Sequence, residues 1–169
     1  MCKPKLVRMT PDYDCFLLYR RAFARLDYSY FPNSEISEQK KKEIRNRASQ
    51  GLFNSQEYES QLSQASVELY FIKNEKDEII GATNLFFDNK GSKCILYIGE
   101  FFLYNEYKRK GLGTIVFNLI LEKARERKVF KIEMWCPFLG AQKFWEKMGF
   151  KQCCRERERV NFEMIVPKK

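Results

Sequence analysis

The apolar positions of this chain change period several times, and each change marks an element. Residues 67–73 and 78–88 are apolar runs rich in β-branched and aromatic side chains. The turn-forming stretch Asn74 to Asp77 separates them, which predicts a β-hairpin. A second turn, Asn89-Lys90-Gly91-Ser92, leads into residues 94–104, long and aromatic enough for a buried strand. From Leu112 the period becomes helical. Leu112, Ile115, Val116, Leu119 and Ile120 share one face, and Asn118, Glu122, Arg125 and Glu126 occupy another. Residues 130–135 return to strand, and 139–148 form a helix with Gly149 just past its end. Residues 155–166 read as one last strand, whose RERER alternation suits exposure on both faces or a place at a sheet edge. Upstream, 5–9 alternates as a first strand. Thr10-Pro11-Asp12 then supplies an N-cap, a proline at the first helical position and an acid in the first turn of a helix running to about Asp27. Further helices are expected over 34–47 and 55–66. The succession 94–104, helix, 130–135 is a βαβ unit, so its strands should be parallel and the fold class α/β.

The turn inside that βαβ unit carries the chemistry. It reads Lys108-Arg109-Lys110-Gly111-Leu112-Gly113 and opens the helix. First-turn N–H groups of a helix lack intrahelical partners, and the helix dipole favours an anion beside them. Cationic side chains surround the turn, and glycines without Cβ let a bulky anion come close. The expectation is a phosphate or pyrophosphate cradle. The P-loop pattern is absent. A dinucleotide fingerprint would need a third glycine where Val116 stands, although Glu133 lies at a suitable distance for a ribose-binding acid.

Three segments, EFFLYNEYKRKG, KRKGLG and AQKFWEKMGF, resemble the GNAT acetyltransferase superfamily in order and spacing. The family loop has the form [QR]xxGx[GA], and Lys108 departs from its first position. The later helix usually reads AxxFYxxxGF, and Trp145 replaces the tyrosine. The resemblance implies a GNAT-like acyl-CoA N-acyltransferase fold, a mixed, mostly antiparallel sheet of about six to seven strands flanked by helices. It implies transfer of an acetyl group from acetyl-CoA, as co-substrate and without a metal, to a primary amine by direct attack in a ternary complex. Lys108, Arg109, Lys110, Gly111, Leu112, Gly113 and Thr114 would hold the diphosphate. Backbone N–H groups at Phe102, Leu103 and Tyr104 would serve the pantetheine and the thioester carbonyl. In the family a bulge frees those groups, and Gly99 offers a place for it; the plain alternative is a fully paired strand containing a glycine.

Glu100 is the carboxylate to weigh as base. It sits in an otherwise apolar strand, where burial would raise its pKa toward the range useful for proton transfer; the alternative is a structural ion pair. The family tyrosine protonates the leaving thiolate, which an indole cannot do. Tyr104 and Cys136 are the substitutes near the expected groove, and each also reads as packing. Trp145 is then core or a wall beside the pantetheine. Phe138 stands where the family often has an asparagine, so one polar cofactor contact is missing. Tyr28, Tyr30, Phe31, Asp27 and Glu35 either shape a pocket for a cationic amine or belong to an ordinary loop and helix.

Composition narrows the rest. A chain of 169 residues with 44% hydrophobic content favours one domain over 1–169 with a sizeable core. The absence of histidine removes Ser–His and Cys–His catalysis and the commonest zinc sites. The six cysteines form no CxxC pair, no apolar run reaches the ~18 residues of a membrane span, and MCKPKLVRMT has no signal-like apolar region, so the expected setting is cytoplasmic with reduced thiols. The net charge of +9 suits an anionic cofactor. Nucleic acid is the weaker explanation, since there is no long basic tail. The acceptor is open between small molecule and protein, a homodimer is common in the family, and a rival reading is a CoA-binding or protein-interaction module with little catalysis.

Overall fold

The computed structural model describes residues 3–9, 67–89, 93–136, 139–156 and 159–167. The helices expected over 10–27, 34–47 and 55–66 lie outside these residues, as do Tyr28, Tyr30, Phe31, Asp27, Glu35 and Phe138. Seven strands form one mixed sheet: β1 (Lys5–Arg8), β2 (Val67–Lys73), β3 (Ile79–Asp88), β4 (Ile95–Leu103), β5 (Lys131–Cys136), β6 (Lys151–Glu156) and β7 (Arg159–Ile165). Their spatial order is β1-β2-β3-β4-β5-β7-β6. Neighbours pair antiparallel except β4 with β5, which are parallel as the βαβ reading requires. Helix α1 (Leu112–Glu126) connects those two strands, and α2 (Leu139–Lys147) follows β5.

The hairpin β2–β3 and the strands at 5–8, 95–103 and 131–136 match the apolar pattern closely. The C-terminal segment does not. What reads as one strand over 155–166 is the end of a hairpin, β6 turning into β7 with Glu156 opposite Arg159. The RERER alternation carries the period of two across the reversal, and no Gly, Pro or Asn marks it. The expectation of an edge holds for β6, the outermost strand.

Helices α1 and α2 bury their apolar faces on one side of the sheet. That core joins Ile72, Ile80, Leu85, Leu96, Ile98, Leu103 and Ile132 to Leu112, Val116, Phe117, Ile120 and Trp145. The buried stripe of α1 is rotated from the expected one: Phe117 and Leu121 are buried, whereas Ile115 and Leu119 are half-buried. The aromatic residues after β5 cause this rotation. The Phe117 ring lies 5.7 Å from Trp145 and 5.5 Å from Phe150, so the stripe turns toward them. A second cluster, Met9, Leu69, Phe71, Ala82, Phe102 and Tyr104, occupies the other face. Among the described residues no helix is long and apolar enough to cross a membrane.

Candidate active site

The site begins where β4 and β5 part. Their pairing covers only Ile95–Lys131, Leu96–Ile132 and Tyr97–Glu133. Beyond Tyr97, β4 keeps β3 as its partner while β5 continues beside β7. The last shared rung is pinned by side chains. Tyr97 hydrogen-bonds Glu133, and its pKa is raised by burial and by that carboxylate. Lys131 is ion-paired to Glu133 and, at 3.1 Å, to Glu163, and these bonds raise its pKa. Glu133 is thus committed to an ion pair, and the sheet order is not that of a dinucleotide-binding domain.

Just past the rung, β4 carries a bulge. Leu85 faces Ile98 and Asn84 faces Glu100, so Gly99 is the extra residue. A Cβ on Gly99 would run into Oδ1 of Asn84, so a side chain is excluded here by close approach. The same Asn84 Oδ1 accepts the Glu100 N–H at 2.6 Å, and Thr83 Oγ1 donates to the Glu100 carbonyl at 2.6 Å. Two side chains therefore take over bonds that an unbroken ladder would make. The bulge also shifts the side-chain alternation. Leu96 and Ile98 point into the helix-side core, as do Leu103 and, in part, Phe101 after the bulge. Phe102 and Tyr104 belong to the other face, and Glu100, in step with them, projects there, half-buried. Were Gly99 paired in an unbroken ladder rather than bulged, Glu100 would share a face with Ile98 and point at the helices. Asn84 and Thr83 were not identified as site residues from sequence; the available signal was a polar pair, Thr83-Asn84, within the apolar run of β3.

The backbone donors of β4 divide by parity. Tyr104 N–H donates to Ile80 O at 2.9 Å, so it is spent on β3 rather than directed to a ligand as expected. Successive N–H groups of a strand point to opposite edges. Phe102, two residues back, therefore also faces β3, and the N–H groups of Leu103 and Phe101 face the edge that β5 has left. Of the three donors expected at 102–104, Leu103 has the required direction. Phe101 shares that direction without having been singled out.

The basic turn leads from this edge to α1. A short 3-10 turn, Asn105–Tyr107, follows Tyr104, and Lys108 Nζ bonds Asn105 Oδ1 at 2.7 Å. Arg109 and Lys110 are exposed, and Lys110 Nζ lies 6.0 Å from the Tyr107 ring centroid. Gly111 is the N-cap of α1, with a left-handed φ of 76° and no side chain to cap the first turn. Among the described residues a Cβ at Gly111 would meet nothing within 4 Å, so the space on that side of the glycine is open. Gly113 has a packing neighbour that Gly111 lacks. A Cβ there would stand 3.3 Å from Phe144 of α2, so close helix packing also requires a glycine here. Leu112 is buried and anchors the helix start; Thr114 is half-buried, and its N–H bonds Gly111 O at 3.1 Å.

Trp145 is core. It is 3% exposed, within a ring cluster with Phe144 at 4.9 Å, Phe101 and Phe150 each at 5.2 Å, and Phe117. Tyr104 is 4% exposed, with Phe102 at 6.2 Å, and Cys136 is buried on the helix side while its carbonyl accepts from Gln142 Nε2 at 3.1 Å. The structure thus brings Glu100, Leu103 and the Gly111 turn to one split in the sheet, and it packs Trp145 and Cys136 into the wall behind.

The acetyltransferase (GNAT) family model matches residues 32–150, well over half of the chain. Solved structures give the same fold. The PaiA N-acetyltransferase from Thermoplasma acidophilum, in complex with coenzyme A, superposes with a TM-score of 0.72 at 14% identity, covering 96% of this chain and 98% of that one. An acetyltransferase from Thermus thermophilus gives 0.68 at 15% identity, with 97% of each chain covered. A GNAT family acetyltransferase from Elizabethkingia anophelis, with acetyl-CoA bound, gives 0.59 at 14% identity, covering 97% of this chain and 99% of the other.

Proposed function

Because the chain belongs to the GNAT acetyltransferase family, we propose that it transfers an acetyl group from acetyl-CoA to a primary amine by direct attack, with residues 1–169 acting as one catalytic domain. The observation that carries this reading is the split between β4 and β5, lying between the uncapped Gly111 turn on one side and a bulge that turns Glu100 to the opposite face on the other. The open side of Gly111, the uncapped start of α1 and the neighbouring Arg109 and Lys110 fit a diphosphate. Acetyl-CoA supplies the activated thioester. Leu103 N–H, aimed at the open edge, is the donor we assign to the thioester carbonyl. Glu100 takes the proton that a lysine-like amine, with a pKa of ~10.4, still carries at neutral pH. A C–N bond forms, the C–S bond breaks, and the thiolate leaves. With Trp145 buried in the core, the family's phenolic acid has no counterpart at that position, and a thiol of pKa ~8.5 can depart without one. The same reading places the protein in the cytoplasm, where the free thiols of Cys94, Cys136, Cys153 and Cys154 stay reduced.

That buried Trp145 also favours the second reading, a CoA-binding module with little turnover. Thermal unfolding with acetyl-CoA, against an adenine nucleotide lacking pantetheine, tests the cofactor. Ligand at 100 times its Kd adds ~2.7 kcal/mol, which raises Tm by several degrees. Amine acetylation by wild type and Glu100→Gln tests the chemistry. We expect kcat/KM to fall ~10²-fold or more in the variant while the acetyl-CoA shift persists. An unchanged kcat/KM removes Glu100 from the mechanism; a shift without turnover on any amine favours the binding module.

A further inference from the structure

The edge strand β6 carries adjacent cysteines that the acetyl-transfer chemistry does not use. Cys153 and Cys154 are both exposed free thiols. Side chains of consecutive strand residues normally point to opposite faces. Here the register with β7 shifts between Gln152, opposite Phe162, and Cys154, opposite Asn161, so Cys153 is a bulge residue. The bulge gathers both sulfurs around one residue. Cys153 Sγ donates to Asn161 O at 3.4 Å, and Asn161 Nδ2 donates to Cys154 Sγ at 3.0 Å. Burial and the neighbouring Cys154 thiol raise the Cys153 pKa. Asn161 therefore holds one sulfur as donor and the other as acceptor, side by side and open to solvent.

The chemistry such a pair can accept is restricted. A direct disulfide is disfavoured, because consecutive Cα atoms stand about 3.8 Å apart and ordinary disulfides span roughly 4.4–6.8 Å. A tetrahedral zinc site needs three or four protein ligands, and among the described residues no group of three His, Cys, Asp or Glu side chains could hold a metal. A centre that is soft, bridges neighbouring thiolates and brings its remaining substituent with it meets both limits. We propose that Cys153 and Cys154 form a bidentate dithiol site for monosubstituted trivalent arsenicals and chemically similar thiophilic metalloids. With phenylarsine oxide, two As–S bonds form, the arsenic–oxygen bond is lost, and the oxygen leaves as water with the two thiol protons. Arsenic stays trivalent and nothing is oxidised or reduced.

The test uses the full chain and phenylarsine oxide at one equivalent, read by intact mass. Wild type gains one phenylarsenic in place of two hydrogens. The adduct survives an excess of a monothiol such as glutathione and is removed by a 1,2- or 1,3-dithiol. Cys153→Ser and Cys154→Ser each lose monothiol-resistant retention at least tenfold, with Tm unchanged because both positions are exposed. Cys94→Ser and Cys136→Ser retain it. An adduct that glutathione strips from wild type, or one that persists in both the Cys153 and Cys154 variants, overturns the proposal. Asn161→Ala reads the bulge separately: retention should weaken while the mass gain stays at one phenylarsenic, and unaltered retention would show that Asn161 does not order the pair.

Discussion

At the scale of single residues, Gly99 and Asn84 determine where Glu100 points. The glycine is required by the closeness of Asn84 Oδ1, and the amide is required because it accepts the Glu100 N–H. Gly99→Ala forces a Cβ against that oxygen and should cost about 1–3 kcal/mol. Asn84→Ala strands a partly buried donor and should cost about 1–3 kcal/mol. The two changes share one contact, so their costs should not add. Removing the amide relieves the clash, and the double variant Gly99→Ala/Asn84→Ala should be more stable than the sum of the single losses predicts, as measured by denaturant unfolding. Strict additivity would mean that the alanine at 99 is accommodated without meeting Asn84. Either single change shifts the bulge that turns Glu100 to its face, so amine acetylation should fall even at a temperature where the destabilised variant is still folded.

Among elements, the two glycines of the α1 turn look equivalent in sequence and have different roles. Gly111 adopts a left-handed φ with open space around it, whereas Gly113 has a helical backbone and faces Phe144. Gly111→Ala should cost roughly 1–2 kcal/mol from the backbone alone. Gly113→Ala should depend on its neighbour. In a Phe144→Leu background its cost should shrink or reverse, since alanine is the better helix former by ~1 kcal/mol, while Gly111→Ala should cost the same in both backgrounds. Thermal unfolding of the single and double variants checks this. The same contrast explains what the sequence made legible. Strand and helix identity follow from apolar period, so β2, β3, β4, α1 and β5 were readable, as was the basic glycine turn between β4 and α1. Contacts between elements have no period. The Phe144–Gly113 contact, the rotation of α1 toward Phe117, the pairing of Asn84 with the Glu100 backbone and the reversal hidden in RERER all depend on which residues meet across the fold. Gly99 is the partial exception, because a glycine inside a strand already points to a bulge or a close approach.

Across the whole molecule, a buried carboxylate ties the far end of α1 to the sheet. Glu68 on β2 is 2% exposed and meets Arg8 of β1 at 3.1 Å, Arg127 just beyond α1, and the Tyr70 hydroxyl at 2.5 Å. Lys123 and Arg127 lie over the Tyr70 and Phe87 rings at 5.0 and 4.1 Å, closing the same cluster. Since α1 carries the Gly111 turn at its other end, this anchor helps fix the direction in which that turn faces. It also sets part of the pH range of the fold. Burial, then the bond to Glu68, raises the Tyr70 pKa above its usual 10.0. A group whose folded pKa is raised stabilises the fold fully below its unfolded value, and the contribution is lost as pH rises beyond it. Lys131, raised by Glu133 and Glu163, acts in the same direction. At the acid end, Lys5 and Lys73 lower the Asp77 pKa from 3.8 to about 2, so its contribution is present above the unfolded value and fades as pH falls from 3.8 toward 2. Tyr70→Phe should therefore flatten the alkaline limb that begins near pH ~10, while costing about 1–3 kcal/mol at neutral pH by leaving Glu68 Oε2 without its donor. Asp77→Asn should leave that limb alone and shallow the acid one. Unfolding midpoints measured from about pH 2 to about pH 12 separate these effects, because the Asp77 contribution changes below 3.8 and that of Tyr70 above 10.0. If Tyr70→Phe left the alkaline limb unchanged, its source would lie with the other groups of raised pKa, and Lys131→Met and Tyr97→Phe should then flatten it.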